Sequence, residues 1–525
     1  MVVTIAPGNA IPDKAYCLAV GSVATDEKLP LASKLQLGGK RSRINIIRAE
    51  MNVYFTDYFQ ISKDVLADYG AFNISLINDL PVFIDPFLLF NSEKDEYVRF
   101  HEEIIRYIRF LKEMSEADEV SKKDLRNFFT FKEVKQNWLG YSLTGNSGSG
   151  LGSQFANAVK DDLAAIFQNF GNEEITYRSH LEKLSLIRDG VGRDNISDLT
   201  TNLIKGFLAE YTQAFAERHI DDAGAREVMV KRAEFDYEMR RWIDRKYRLP
   251  YTNGDYVLLT PRDILTKDEM WINKQGIFAD FDGIRAAISN HDLRAEINEY
   301  FLRQIPRDAT RKEKETAKKQ TLKQYPQLID YYIRDKEDHG QTAVSISQAR
   351  VKDTEEVFIA QVSQLIDRLE EESEFYAVPA DTLDAAHMRV QDLKKIIESN
   401  DGYRIFHEKG KPVKRGDNLY RIFRLAWFAS PEGVDAKAGN GPGPINNEIL
   451  RDPRKSALVF KLASNPKLEQ YFKDQADMPN QSKKSIIVIL YFSDVELEKI
   501  LEIFTKLKLQ EGKSLVLIDA SATDK

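Results

Sequence analysis

Apolar positions along this chain switch between helical and strand-like spacing, and the points where the spacing changes divide it into elements. Residues 1–50 mix Gly, Pro, Ala and charged residues without a sustained period and read as a loosely ordered extension. Patterning begins at Met51 with MNVYFTDYFQISKDVLADYG. The apolar run LPVFIDPFLLF (80–90), broken by Pro81 and Pro86, predicts a buried strand followed by a turn. Helical spacing then takes over across 93–114, where Val98, Ile104, Ile105, Ile108 and Leu111 share a face. Long helical patterns recur at 198–219, 224–247, 279–303 and 354–374. Between the second and third, Asn253-Gly254 followed by YVLL signals a hairpin turn and a strand. The polar stretch 307–324 reads either as a solvated helix or as a hinge.

From about Asp417 the pattern changes. A helix at 418–428 is followed by short strands at 444–450 and 456–464, a polar helix at 466–478 and a nearly continuous apolar strand at 483–493. A helix at 494–507 and a last strand at 514–520 complete the order. Unbroken Ile/Val/Leu runs indicate strands buried on both faces, so a sheet flanked by helices is expected. The predicted fold is multidomain α+β. After the extension come a mainly helical domain over 51–305 with a small β element, a helical connector over 306–401, and an α/β unit over 402–525 around a central mixed sheet.

Composition narrows the setting. A chain of 525 residues exceeds what one core usually supports. The single cysteine, Cys17, excludes disulfides within the chain and any Cys-based zinc site, which suits a reducing cytosol. No apolar run reaches the length of a membrane span, and the first twenty residues lack the basic start of a secretory signal, so a soluble cytoplasmic protein is expected, with no membrane partner. Net charge is -7, unevenly spread. Residues 402–525 carry 21 Lys+Arg against 16 Asp+Glu, leaving the acidic excess to the rest of the chain. The C-terminal part is therefore the better candidate for meeting a polyanion.

The segment GPGPINNEILRDPRKSALVFKLAS (441–464), together with the element order around it, resembles the restriction-endonuclease-like nucleases that carry a PD-(D/E)xK motif. The resemblance covers roughly 402–525. It implies an acid on one strand and an acidic-x-Lys triplet on the next, with two carboxylates holding Mg²⁺ and the lysine stabilising charge on the attacked phosphate or orienting water. Here Asn446 stands at the first acid, Val459 at the second, and only Lys461 remains. Gln475 matches the start of a Gln-x-x-x-Tyr element on the following helix, but Pro479 occupies its tyrosine position. Glu448 and Asp452 are neighbouring acids able to migrate into the metal-binding role. The resemblance implies a domain that binds nucleic acid, DNA first, or a partner with cleavage impaired, and the segment RDGVGRDNISDLTTN (188–202), which is similar to prokaryotic proteins of defence-type gene neighbourhoods, sets it in a defence-type protein. Lys461, Arg454, Lys455 and Lys467 would then contact phosphates. An active DNA endonuclease, with Mg²⁺ as its cofactor, is the alternative. A third reading is a helical scaffold whose 354–400 helices build a homo-oligomer or dock a partner ATPase.

A second constellation lies in RDGVGRDNISDLTTN (188–202), where Asp189, Asp194 and Asp198 surround Gly190 and Gly192 just ahead of a helix. Glycines permit close backbone approach and a helix N-terminus favours an anion, although Asp198 or Ser197 would equally serve as a plain N-cap. Asp79 and Asp85, in NDLPVFIDP, join Asp194 and Asp198 as candidate metal ligands. The loop GNSGSGLGS (145–153) lacks the GK[ST] ending of a phosphate-binding loop and reads as a flexible connection ahead of an amphipathic helix. No HExxH or GxSxG pattern supports zinc or serine-triad chemistry. The aromatic stretch EFDYEMRRWIDRKYRLPY (234–251) reads as a helix, either half buried with snorkelling cations or suited to nucleic-acid contact.

Overall fold

A computed structural model describes residues 51–525 except 118–119, 143–145, 147–149, 188–189, 378–381, 400, 430–456, 477–484 and 523–525. The chain is mixed α+β, predominantly helical, with small sheets. The described residues form one compact unit.

Near the start, β1 (Phe83–Ile84) is where the run 80–90 was expected to extend. The turn expected after it is a short helix instead, Pro86–Phe90. Asp85 caps it by accepting from Phe87 N at 3.1 Å, and Pro86 sits at the first helical position, where its fixed φ and absent N–H cost nothing. The helix Asp95–Glu116 buries Ile104, Ile105, Ile108 and Leu111 on the anticipated stripe, with Val98 half buried.

The stretch 224–247 is not a helix. It forms β2 (Ala225–Asp236), paired antiparallel with β3 (Arg241–Thr252). A bulge between Val230 and Glu234 explains the misleading spacing. Arg232 takes φ +52°, and the extra residue shifts the inward face from Val230 to Ala233 and Phe235, so a period of two imitates a helical step of three. The expected aromatic helix 234–251 is thus the end of β2, the turn and nearly all of β3, and Trp242 packs against Phe235 and Tyr107. The predicted turn at Asn253-Gly254 does form: both residues take positive φ, and β3 continues into β4 (Asp255–Tyr256). Next, β5 (Leu265–Thr266) pairs with β1.

The pattern at 198–219 belongs to two helices, Arg193–Leu203 and Lys205–His219, which meet at Ile204. That at 279–303 likewise divides, into Phe281–Ala287 and His291–Arg303, the second capped by Asn290. The polar stretch 307–324 is a helix, Arg311–Gln324, opened by a reciprocal Thr310–Glu313 capping box. Over 354–374 the helix Gln361–Glu372 follows a single π turn, Glu356–Ala360.

Towards the C-terminus a small ribbon of β6 (His407–Glu408) and β7 (Lys411–Pro412) precedes the helix Gly416–Trp427. Then β8 (Ala457–Leu462), β9 (Ser485–Tyr491) and β10 (Leu515–Asp519) lie side by side, with helices Leu468–Ala476 and Asp494–Leu507 between them in sequence. Every described pairing in this sheet is parallel. The expected strand 444–450, on which a mixed sheet depends, lies outside the described residues. One face of the sheet, including Phe460, Val488 and Ile518, joins the main core, where Phe460 stacks on Phe423 at 3.8 Å. The other face, Ile487, Ile489, Leu515 and Leu517, is closed by Leu468, Phe472, Ile500 and Phe504. Burial on both sides is what the unbroken apolar runs required. Among the described residues no helix is long and apolar enough to cross a membrane.

Candidate functional site

A cleft of about 1010 Å³ opens where the start of the helix Arg193–Leu203, the segment 269–279 and the helix Arg311–Gln324 meet. Five cations line it: Arg193, Lys274, Arg311, Lys314 and Lys318. Among the described residues two carboxylates do, Glu269 and Glu315. Local rules place these charges. Residues 311, 314 and 318 are spaced by three and four, so the helix sets them on one face. Lys274 opens the helix Lys274–Ala279, whose cap Asn273 accepts from Gly276 N at 2.8 Å. Glu269 pairs with Arg193 at 2.8 Å and Glu315 with Arg311 at 3.0 Å, so both acids are matched and the net excess is positive. Lys318 also donates to the Phe278 carbonyl at 2.6 Å, and Lys274 lies 5.9 Å from the Phe278 ring centre. Arg193 rests over Tyr141 and Phe83, with its buried Nε unpartnered. The field of such a surface attracts polyanions.

Behind this cleft the structure brings some of the sequence-predicted acids together. Burial raises Asp198, and repulsion from Glu133 and Asp194 adds to it, placing its pKa at about 7. Asp79 is fully buried and held well above the usual carboxylate range, by burial first and then by Glu133, with Arg421 opposing and Asp198 adding repulsion. Asp79, Asp194 and Asp198 therefore share a neighbourhood with Glu133, which sequence reasoning did not single out. Asp85 stands apart. Its second oxygen accepts from Trp271 N at 2.9 Å, and its pKa is raised to about 6, mainly by burial. Burial, with repulsion from Asp85, holds Glu182 well above the usual carboxylate range. Among the described residues no group of three or more His, Cys, Asp or Glu side chains is arranged to hold a metal ion.

Neither Ser197 nor Asp198 is an N-cap, because the helix already begins at Arg193, with Gly192 at its cap. Ser197 instead accepts from Ile84 N at 3.1 Å and ties the helix to β1. Arg421, 0% exposed, donates from Nε to the Asp79 carbonyl at 2.8 Å and from Nη2 to the Ser142 carbonyl at 3.4 Å. Its Nη1 and Asp79 Oδ1 are both buried and find no partner among the described residues.

A buried ionic network also went unread. Lys183, 1% exposed, meets Glu173 at 2.7 Å and Asp330 at 2.5 Å, while His180 Nε2 lies 2.9 Å from Glu337. Burial holds His180 at about 3, hence neutral. The signal was present in HLEKLSL (180–186), where charged residues interrupt an otherwise apolar run.

In the C-terminal sheet, Lys461 is half buried on β8, opposite Ile489, with its ammonium 4.3 Å from the Tyr471 ring centre. Val459, at the second acid position, is buried. Lys467 is exposed just before the helix Leu468–Ala476. Gln475 lies within that helix, its side chain outside the description. Asn446, Glu448, Asp452, Arg454 and Lys455 lie outside the described residues.

Residues 60–273 match a family described as a domain of unknown function, DUF8370, and residues 382–494 match a second such domain, DUF8371. No curated protein and no solved structure matches the chain. Four of the five cleft cations, Lys274, Arg311, Lys314 and Lys318, fall in the stretch between the two matched regions.

Proposed function

We propose that this is a nucleic-acid-binding protein of the prokaryotic defence type, in which a nuclease-like C-terminal unit persists with cleavage impaired. The observation that carries the binding role is the cleft lined, among the described residues, by five cations against two carboxylates. Ammonium and guanidinium groups contact phosphate oxygens whatever the base sequence, and binding releases condensed counterions. Arg311 to Lys318 spans about 10 Å of helix at 1.5 Å per residue, enough to follow about three phosphates of a strand.

Support for the nuclease-like part comes from the alternation of strand and helix through β8, β9 and β10 and from Lys461 on β8. Asn446 and Val459 argue against retained cleavage. Neither supplies negative charge, and Mg²⁺ depends on hard anionic oxygen ligands.

The test is electrophoresis of labelled DNA with the full chain. Retardation that fades as salt rises, persists in EDTA and leaves the strands intact with Mg²⁺ or Mn²⁺ is the expected result. Cleavage that disappears on Lys461→Ala would replace this reading with an active nuclease. Absence of retardation, with an oligomer on sizing, would favour a scaffold.

A further inference from the structure

We propose that a second cavity, of about 430 Å³, binds a nucleoside monophosphate: a planar base stacked among tyrosines with its phosphate held by lysine. The cavity lies where the end of the helix Lys63–Tyr69, the start of Asp95–Glu116, the helix Lys205–His219 and the helix Gly340–Glu355 approach one another. Its volume falls within the range of small-molecule sites.

Its chemistry points to the ligand. Three tyrosines line it, and the hydroxyls of all three are already engaged. Tyr69 donates to the Tyr211 carbonyl at 2.7 Å and Tyr211 to the Tyr69 carbonyl at 3.1 Å, an exchange that locks their rings 4.6 Å apart. Tyr97 donates to Asp263 at 3.0 Å. Tyr97 is buried, with the Lys94 ammonium 4.4 Å from its ring centre, so the ring surface offered to a ligand is that of the half-buried Tyr69 and Tyr211, which suits stacking by a flat heterocycle. Around the rings stand Lys94, Arg262 and Lys352, against one acid among the described residues, Asp263. That acid is consumed by Lys94 at 2.5 Å, and Arg262 is held by Glu355 at 2.6 Å. A cationic ligand would thus find no unpaired carboxylate. Lys352 is exposed, and among the described residues its ammonium makes no hydrogen bond or ion pair, so it is available to an anion. Gln348, four residues earlier on the same helix, shares its face and adds an amide able to donate and accept.

The site does not depend on the cleft described above, and its failure would leave that reading untouched. Calorimetric titration of the full chain with AMP, adenosine and inorganic phosphate tests it. AMP is expected to bind more tightly than either fragment. Lys352→Glu should weaken AMP about tenfold, the size of one charge-assisted contact. Ala67→Trp, which fills the cavity from an exposed position on the helix Lys63–Tyr69, should abolish AMP binding. Both variants should keep the wild-type circular dichroism spectrum and DNA retardation. No heat with AMP from folded protein overturns the proposal. So does wild-type AMP affinity in Ala67→Trp, or adenosine binding as tightly as AMP.

Discussion

Arg421 is the largest side chain wholly withdrawn from solvent among the described residues, and it holds the carbonyls of Asp79 and Ser142 from a helix more than 270 residues further along the chain. Removing one partner of a buried charged network costs about 3–5 kcal/mol, because the remaining groups lose their compensation. Arg421→Ala should therefore lower the unfolding free energy by that order, with Arg421→Met, which retains stem volume, losing less. Urea unfolding midpoints check this, and a wild-type midpoint in Arg421→Ala would contradict it. Asp198 makes a pH prediction. Its folded pKa, about 7, is raised above that of an unfolded aspartate. Between about pH 4 and 7 the folded state retains a proton that the unfolded chain releases, so this residue's contribution to stability falls as pH rises through that window. Asp198→Asn, which cannot ionise, should be stabilised relative to wild type at pH 8 and little changed at pH 4. Thermal midpoints across that range would show the difference growing with pH. Few of these roles were legible beforehand. Asp194 and Asp198 were recognised as acids near glycines and Asp79 as an acid able to join them, but the sequence holds no sign that Glu133 and Arg421 do so, since each arrives from a distant segment.

At the scale of elements, long uniform runs were readable and irregular ones were not. The strands of the C-terminal sheet and the helix Asp95–Glu116 follow directly from apolar spacing. The hairpin of β2 and β3 was hidden by one bulge residue, Arg232, whose guanidinium secures its conformation by donating to the Thr130 carbonyl at 3.0 Å and the Asn127 carbonyl at 2.7 Å. By contrast, the turn after β3 announced itself through Asn253-Gly254. Gly254 takes φ +85°, a region costly for residues with a Cβ. Gly254→Val should destabilise the protein by about 1–2 kcal/mol, with Gly254→Asn closer to wild type. Chemical denaturation compares them, and equal stability of the valine and wild-type proteins would count against the turn. The ambiguity over 307–324 had a physical source. That stretch buries only Ala317, Thr321 and Leu322, so the capping box, more than an apolar stripe, marks it as a helix.

Across the whole molecule, ion pairs and hydrogen bonds join the two matched regions. Lys267 meets Glu408 at 3.0 Å and Asp268 meets Arg415 at 2.9 Å, beside the Arg421–Asp79 link. A boundary at 401/402 would part the helix Leu383–Glu398 from the sheet it covers, where Glu398 accepts from Asp519 N at 2.9 Å and Lys394 meets Glu511 at 3.3 Å. A fragment of residues 402–525 should accordingly expose the face bearing Val488 and Ile518, bind a hydrophobic dye and unfold without cooperativity. Cooperative unfolding of that fragment would show an independent domain. Sequence spacing predicted the sheet but not this dependence, because Leu383–Glu398 carries no mark of the surface it meets.

The central claim, that the basic cleft binds nucleic acid through its backbone, is tested most directly by fluorescence anisotropy of labelled DNA at a series of salt concentrations, for wild type and for Lys274→Glu with Lys314→Glu. The logarithm of affinity should fall linearly with the logarithm of salt concentration. The double variant should bind more weakly, with a slope shallower by about two, one unit for each phosphate left without its lysine. The same affinity and slope in both proteins, or no binding by wild type at low salt, would contradict it.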